Sequence, residues 1–453
     1  MARVGMMAIG LLGLASIASA DDLLVPTQFR DIQSAIDAAA DGDIVIVAPG
    51  VYNGRGNTNI SFRGKAITVR SSGGAAATTI DALRTGTVFI FDLDEGPDSV
   101  VEGFTITGAS RSGIAITTGS PTIRSSVIVD NWNGLFGGGV NIDGAGGVTL
   151  IDCELRDNLA GQGGGLNVWN GGTATLVGCR IEGNRTDITG GGGVMADNGA
   201  TLAMDRCVVV ANESIGFAGS SAGVRIARSS TGTITNSLIT GNTASGSGAG
   251  VSFTNDSRGS VINTTIADNN AAFAGGALLL TEGVVSVEVA NTILRNNFPD
   301  QLSAASTLPA VRYSIVMDGS PGEGVLDIDP LFTDRFAGEY TLQPGSPAID
   351  ASDNDAAAGL DRDLAGLPRF VDDPSTPDTG LGAPPLADMG AYELQVASCP
   401  ADIDGDGRLT TFDFLEFQNL FDAGDDRADF DEDGRLTLFD FLAFQTAFDA
   451  GCD

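Results

Sequence analysis

Residues 151–168 read IDCELRDNLAGQGGGLNV, and this phrase returns along the chain in altered form. Each copy has a small residue, an aliphatic residue two positions later, an asparagine three positions after that, and then a glycine-rich run. A period in this range is typical of stacked supersecondary units. The asparagines recur every 26–30 residues, at Asn131, Asn158, Asn184, Asn212, Asn242, Asn269 and Asn297.

Two aliphatic columns accompany the asparagines. Apolar side chains at strand spacing predict short strands, and the glycine runs argue against helical repeats. We therefore predict an all-β parallel β-helix in which each column forms a ladder of like residues and the asparagines stack at a turn. The columns are Ile123, Leu150, Leu176, Met204, Ile234, Val261 and Val289, and Ile128, Leu155, Ile181, Val209, Ile239, Ile266 and Leu294.

A third column, five residues before each asparagine, contains only small residues. Three of them are Cys153, Cys179 and Cys207, and serine or threonine takes their place in the other repeats. We interpret them as an inward thiol ladder, because buried thiols pack as small apolar groups. A metal or redox site is the alternative, and a disulfide between adjacent coils would leave one thiol over.

The N-terminus has the features of a secretory signal peptide. Arg3 is followed by an apolar stretch, and Ala18-Ser19-Ala20 forms a small-residue cleavage site, so residues 1–20 are predicted to be removed. A membrane anchor is the alternative, but the apolar run is short and meets two aspartates. The mature protein is expected to be secreted, extracellular or associated with the cell surface, without a transmembrane segment.

The charge of the chain excludes several classes of function. The net charge is −34, so nucleic acid is not an expected partner. The chain has no histidine, which argues against serine or cysteine triads and typical zinc sites.

The start of the mature chain is predicted to cap the solenoid. Residues 29–54, FRDIQSAIDAAADGDIVIVAPGVYNG, predict a short amphipathic helix, a turn and a strand. This opening resembles the first coil of right-handed parallel β-helix proteins of the pectate-lyase-like superfamily. The resemblance implies a right-handed solenoid over residues 21–394, with a cap at about 21–50.

A change of composition marks the end of the solenoid. The phrases DIDPLFTDRFAGEYTLQPGSPAID, from Asp327, and DMGAYE, ending at Glu393, resemble the C-terminal segment of choice-of-anchor Q proteins, a surface-protein class built on β-helices. We expect residues 327–394, the closing segment, to cover the open end of the β-helix. Its stretch VDDPSTPDTGLGAPP is interpreted as a loop or spacer.

The tail contains a duplicated acidic phrase, ADIDGDGRLTTFDF from Ala401 and ADFDEDGRLTLFDF from Ala428. Aspartates at positions 1, 3, 5 and 12 with glycine at position 6 match the spacing of an EF-hand loop, so we predict two Ca²⁺ ions. A solvated acidic run is the alternative, but it would not require the two glycines. The predicted ligands are Asp402, Asp404, Asp406, Arg408, Thr410 and Asp413 in the first loop, and Asp429, Asp431, Asp433, Arg435, Thr437 and Asp440 in the second.

The two copies, 27 residues apart, resemble a type I dockerin over residues 399–453. The resemblance implies a small α-helical calcium domain that binds a cohesin-like protein. Thr411-Phe412 and Leu438-Phe439 stand where dockerins commonly have a Ser-Thr-like pair, which puts a standard cohesin in doubt. Cys399 and Cys452 bracket the tail and are predicted to form a disulfide in an oxidising compartment.

Two functions remain open for the solenoid. It is either a non-catalytic surface or carbohydrate-associated element, which we favour, or a polysaccharide lyase or glycoside hydrolase. Asp130 and Asp157, on adjacent coils about 4.8 Å apart, are the weak catalytic candidates. The alternative is that both are turn residues, since turns often contain aspartate.

Overall fold

The computed structural model describes residues 20–216, 221–306, 308–395, 400–403, 409–431 and 434–451. Four parallel sheets of twelve, eleven, ten and six strands run along a solenoid, and each coil contributes strands to the sheets in turn. The prediction of an all-β parallel β-helix is confirmed. The proposed signal peptide, apart from Ala20, lies outside the described residues, as do Cys399 and Cys452. Within the described ranges, no helix is long and apolar enough to span a bilayer.

Sheets 1 and 2 form two walls of the solenoid. Sheet 1 contains Asp22–Val25, Ile44–Val47, Thr68–Ser71, Val100–Glu102, Thr122–Arg124, Gly147–Ile151, Thr173–Val177, Thr201–Asp205, Thr231–Thr235, Arg258–Ile262, Ser286–Ala290 and Ala310–Arg312. Sheet 2 contains Gly50–Asn53, Thr78–Asp81, Thr105–Thr107, Val127–Val129, Glu154–Arg156, Arg180–Glu182, Val208–Val210, Leu238–Thr240, Thr265–Ala267, Ile293–Arg295 and Ile315–Val316.

Sheets 3 and 4 complete the coils, and two further strands pair outside them. Sheet 3 contains Ile60–Ser61, Thr87–Phe91, Ser112–Ile116, Val140–Asp143, Leu166–Trp169, Val194–Asp197, Val224–Ala227, Val251–Thr254, Leu278–Leu280 and Leu302–Ala304. Sheet 4 contains Trp132–Phe136, Leu159–Gln162, Arg185–Thr186, Glu213–Ser214, Thr243–Ala244 and Asn270–Ala271. Phe332–Asp334 and Glu339–Leu342 form an antiparallel pair.

The aliphatic columns form the core, as predicted. Ile128 pairs with Leu155, and Leu155 pairs with Ile181, in neighbouring strands of sheet 2. All three side chains are fully buried. Each column is therefore a stack of like side chains along the solenoid axis.

The asparagine column is a continuous hydrogen-bonded ladder. Asn158 Nδ2 donates to Asn184 Oδ1 at 3.0 Å, and the backbone amide of Asn158 donates to the same oxygen at 3.1 Å. Asn158 Nδ2 also donates to the Ile128 carbonyl of the preceding coil at 2.8 Å. The pattern repeats down to Asn297, which bonds to Gln301. These buried amides satisfy the backbone at the turn between sheets 2 and 4.

The residue before each ladder asparagine has a left-handed backbone. Its φ lies between 53 and 65° in all seven repeats, which explains why aspartate, asparagine and glycine predominate there. A second left-handed column lies one residue before the small-residue column and includes Asn236, Asn263 and Asn291. The turns are thus set by backbone conformation and not by ligand binding.

The N-terminal cap is a helix, Ile32–Ala38, whose Ile32, Ala35 and Ile36 are buried against the first coil. The Asp31 side chain caps its N-terminus by accepting a hydrogen bond from Ser34 N. The predicted amphipathic helix is confirmed.

The closing segment lies along the outer face of sheet 2. Tyr340 is buried with Leu238 and Ala267, which belong to two different coils of sheet 2. Outward-facing residues of these strands are buried because the segment covers them. The segment thus extends along several coils, whereas the sequence led us to expect it at the open end.

The described part of the tail contains two helices, Thr411–Ala423 and Leu438–Ala450, and a 3₁₀ helix, Asp426–Ala428. Each long helix begins directly after position 9 of an acidic loop. The helices expected in both repeats of the tail are present in the described residues.

Candidate functional sites

The second acidic loop brings three carboxylates together. One oxygen each of Asp429, Asp431 and Asp440 lies within 4.8 Å of the others. Gly434, at position 6, has φ 77°, and its amide donates to Asp429 Oδ2 at 2.8 Å. The glycine therefore makes the turn that the sequence pattern requires. Asp433 lies outside the described residues.

Backbone amides fix the closing aspartate of this loop. Asp440 Oδ1 accepts from Phe430 N at 2.9 Å, and Oδ2 accepts from Thr437 N at 2.6 Å. Burial of Asp440 opposes its ionisation, but these amide hydrogen bonds outweigh burial and lower its pKa. Thr437 is also the N-cap of the second helix, in a capping box with Asp440. An ionised carboxylate is thus positioned at the helix start.

The first loop repeats this arrangement in its described residues. Asp413 Oδ1 accepts from Ile403 N at 2.9 Å, Oδ2 accepts from Thr410 N at 2.7 Å, and Thr410 caps the first helix. Asp404, Asp406 and Arg408 lie outside the described residues. Asp413 and Asp440 therefore have equivalent roles in the two repeats.

The helices of the tail present apolar side chains to solvent at equivalent positions. Phe412 and Phe439 are each 67% exposed, and Leu415 and Leu442 are 52% and 47% exposed. The four residues, which we call the docking face, lie on the first turns of the two helices. Exposed apolar side chains at equivalent positions of two repeats are candidates for contacts with a partner.

The two weak catalytic candidates are turn residues in the structure. Asp130 pairs with Arg84 at 2.7 Å, and Asp157 pairs with Arg156 at 3.2 Å. Their side chains are 65% and 61% exposed, and both have the left-handed backbone of their column. The geometry agrees with the interpretation of both as turn aspartates.

The three described cysteines stack as the sequence suggested. Cys153, Cys179 and Cys207 are free and buried, and each Sγ donates to a carbonyl of the preceding coil. Burial raises the pKa of the Cys207 thiol. The Ser237 hydroxyl continues the column by accepting from Cys207 N at 3.0 Å. Buried thiols that replace hydroxyls in a ladder have a structural role.

The one lysine of the chain is held at the N-terminal cap. Lys65 Nζ donates to the carbonyls of Ile36, Asp37 and Ala39, at the C-terminus of the cap helix. An ammonium group bonded to carbonyls at a helix C-terminus is the arrangement expected of a helix cap. Lys65 is therefore engaged in structure.

The closing segment contains a buried charged network that the sequence analysis missed. Arg369 is fully buried and donates to Asn236 Oδ1 at 3.0 Å and to the Ala391 carbonyl at 2.8 Å. Burial raises the pKa of Glu393, which lies 3.5 Å from Arg369 Nη1, to about 9. Glu393 also accepts from Val371 N and Asp388 N. The network holds the segment together and joins it to the solenoid.

Asparagines of three successive coils anchor the same segment. Asn263 Nδ2 donates to the Asp388 carbonyl at 3.1 Å. Asn291 makes a reciprocal pair with the Asp353 backbone, at 2.7 and 2.9 Å. With Asn236, these are members of the second left-handed column. The sequence contained this asparagine column, but nothing in it identified the partners.

The outward column of sheet 4 is a candidate surface for a polymeric ligand. It lies one residue after the ladder asparagines, and its first aromatic residue, Trp132, is 44% exposed. Arg185 and Glu213 face outward between neighbouring coils at 3.5 Å, and Phe298, 61% exposed, follows Asn297 at the far end. Aromatic and hydrogen-bonding groups along one line are suited to an extended glycan.

Comparisons with known proteins agree with the fold. A family model described as right handed beta helix region matches residues 93–246. No curated protein matches the sequence with significance.

Solved structures with similar coordinates include polysaccharide-active proteins. The chain is similar to pectate lyase Pel9A, with 14% identity, a TM-score of 0.51, and coverage of 84% of this chain and 98% of that one. It also matches an alginate lyase from Paenibacillus sp. str. FPU-7, with 13% identity, a TM-score of 0.30, and coverage of 63% and 99%. The likeness to the pectate lyase concerns the fold.

Proposed function

We propose that this protein is a secreted β-helix element of a cell surface or carbohydrate-associated assembly, attached to a partner through its calcium-dependent tail. The observation that carries the proposal is the convergence of Asp429, Asp431 and Asp440 at the start of a capped helix. In the first loop, the closing Asp413 and the capped helix repeat this arrangement. The predicted signal peptide supports export.

The second loop fits a calcium ion by its donor set. Calcium is bound by six to eight oxygens, and the carboxylates of Asp429, Asp431 and Asp440 would hold it together with the predicted ligands Asp433 and Arg435. The ion would neutralise acids that otherwise repel one another. Calcium binding and folding of the tail are therefore coupled in this proposal.

The docking face supplies the surface for the partner. Phe412, Leu415, Phe439 and Leu442 occur as equivalent pairs from the two repeats, so calcium would order both halves of the face together. The occupant we propose is a cohesin-like protein with an apolar contact surface. The exposed phenylalanines and leucines favour an apolar contact over a contact through hydroxyl groups.

Calcium titration of the full mature chain tests the proposal. The tail is expected to take up two equivalents, Asp429→Ala to remove one, and chelation to expose residues 400–451 to protease. Asp422→Ala removes an exposed acid outside both loops and is the matched control. Equal calcium uptake by Asp429→Ala and Asp422→Ala would refute the tail sites.

Capture by a panel of cohesin modules tests the partner. Capture is expected to require calcium and to be lost in the Phe412→Ala/Phe439→Ala double variant, whose calcium uptake remains intact. Capture that survives both chelation and the double variant would rule out the docking face.

We propose a polysaccharide as the second partner. The outward column of sheet 4 offers Trp132 and Phe298 as exposed aromatic surfaces near its two ends, with polar groups between them. Binding to pectin, alginate or xylan in affinity electrophoresis is expected to weaken in Trp132→Ala. Retardation that is identical in wild type and variant would exclude this column.

Polysaccharide degradation is the alternative function, and we disfavour it. The candidate aspartates are ion-paired turn residues, and Lys65 caps a helix. The likeness to a pectate lyase supports the β-helix scaffold and not its activity.

A further inference from the structure

Three aspartates of the closing segment meet at one point, outside the tail. One oxygen each of Asp350, Asp372 and Asp378 lies within 4.8 Å of the others. Asp350 follows a buried stretch of the segment, whereas Asp372 and Asp378 are exposed residues of the proline-containing loop that begins at Val371. The fold thus brings together acids that are up to 28 residues apart in the sequence.

The buried member of this cluster has an oxygen without a partner. Asp350 is 0% exposed, and its Oδ1 has no hydrogen-bond partner, while its Oδ2 accepts from Asp373 N at 3.1 Å. A buried carboxylate oxygen without a partner is costly and requires a compensating group. The carboxylate lies against the two exposed acids, so a cation bound at this point would compensate it.

No arginine or lysine in the described part of the chain supplies such a cation. Among the described residues, none of the three carboxylates forms an ion pair with arginine or lysine. Asp350 is buried, and the nearby Asp372 and Asp378 place two further carboxylates against it. An external positive charge would relieve both the burial of the carboxylate and the repulsion.

The loop that carries the exposed acids has a defined shape. Asp373 accepts from Ser375 Oγ at 2.7 Å and from Thr376 Oγ1 at 2.6 Å. At the other end, the Asp350 carbonyl accepts from Thr379 N at 3.0 Å. Asp372 and Asp378 are therefore held on either side of a fixed turn that is anchored on Asp350.

From this geometry we propose a calcium site formed by Asp350, Asp372 and Asp378. It goes beyond the proposed docking function because it belongs to the body of the protein. Calcium accepts irregular sets of six to eight oxygens, and the exposed side of the cluster leaves room for water ligands. Magnesium requires a stricter octahedral set and fits these three carboxylates less well.

The bound ion would join the loop to the rest of the closing segment. The amide of Asp350 donates to Asp388 Oδ1 at 2.9 Å, and the Asp388 carbonyl accepts from Asn263 of the solenoid. A cation at Asp350 would therefore connect the exposed loop to the rest of the closing segment, which covers sheet 2. Its loss is expected to loosen this loop and leave the β-helix coils folded.

Counting bound calcium in four full-length proteins tests the proposal. Equilibrium dialysis should give three equivalents for the wild type, two for Asp372→Asn/Asp378→Asn, and one for Asp402→Ala/Asp429→Ala. The combined quadruple variant should bind none. Asp355→Asn/Asp361→Asn changes two exposed acids of the same segment and is the control, with three equivalents expected.

The calcium counts distinguish an error in the site at Asp350, Asp372 and Asp378 from an error in the proposed tail sites. If the tail does not bind calcium, the wild type takes up one equivalent and Asp372→Asn/Asp378→Asn takes up none. If Asp372→Asn/Asp378→Asn binds as much as the wild type, the body site is refuted. A terbium soak should also give an anomalous peak between the three carboxylates, and a peak elsewhere only would overturn the assignment.

Discussion

Phe417 and Phe444 stack face to face, with ring centroids 4.2 Å apart and an interplanar angle of 7°. They occupy equivalent positions of the two tail repeats and are the most buried aromatic residues there. Phe414 and Phe441, another equivalent pair, meet edge to face at 5.7 Å. The tail is thus held together by contacts between like residues of its two halves.

We predict that Phe417→Ala destabilises the tail by about 3–5 kcal/mol, because it removes half of a buried stack and leaves a cavity. Limited proteolysis in calcium should cut the variant tail while the body stays resistant. Phe412→Ala removes an exposed ring and is expected to change stability by less than about 0.5 kcal/mol. Equal protease sensitivity of the two variants would show that the stack is not the core.

Asn184→Ala is predicted to destabilise the solenoid by about 3 kcal/mol or more. The change leaves Asn158 N without an acceptor, removes one of the two acceptors of Asn158 Nδ2, and leaves the Leu155 carbonyl without its amide donor, all in a buried setting. Denaturant unfolding measures the difference. Asn270→Ala makes the same substitution at an exposed position and should be nearly neutral. A similar loss of unfolding free energy in both variants would mean that the asparagine ladder contributes little to stability.

Stability of the body is predicted to fall as pH rises from about 5 to 9. Burial raises the pKa of Glu393 to about 9, so the folded state holds a proton that the unfolded state releases near its ordinary pKa of 4.5. The contribution is present at low pH and is lost as pH rises through the folded pKa. Calorimetry in a chelator at pH 5, 7 and 9 measures it.

The control for this pH dependence is Glu393→Gln. The substitution removes the titrating group, so the slope of stability against pH should flatten. The variant should also be less stable at pH 5 by about 1–3 kcal/mol, because Gln has one acceptor oxygen for two amides. A slope identical to that of the wild type would assign the effect to other groups.

Asp130→Asn and Asp157→Asn are predicted to leave the behaviour of the protein toward pectin, alginate and xylan unchanged. Both aspartates are exposed and ion-paired at turns, and we expect the wild type to release no product. Chromatography of digests measures product. Robust cleavage that disappears in either variant would support a glycosidase and overturn the non-catalytic proposal.

The periodic parts of the fold were predictable because each residue type repeats with its environment. The columns of Ile128 and Leu155 and the ladder asparagines have the same neighbours in successive coils, so one pattern describes them all. The tail loops were recognisable for the same reason, as a spacing that occurs twice.

The closing segment was not predictable in this way. Arg369 bonds to Asn236, 133 residues away, and the Asp350 cluster forms between a buried stretch and a loop that reads as a spacer. Neither contact repeats, and both depend on the segment folding back over sheet 2. The charged residues and turn residues of the sequence did not indicate the partner of Arg369 or the members of the Asp350 cluster.

The closing segment limits how the number of coils in the solenoid can change. The rungs from Asn131 to Asn269 have the same bonding, so a whole coil inserted before residue 236 would leave each rung satisfied. The closing segment, however, forms hydrogen bonds with Asn236, Asn263 and Asn291 on consecutive coils. An extra coil between them would move one anchor out of reach by one strand spacing, about 4.8 Å. The N-terminal coils can therefore be duplicated or deleted. The number of the last coils is fixed, because the closing segment binds one asparagine on each of them.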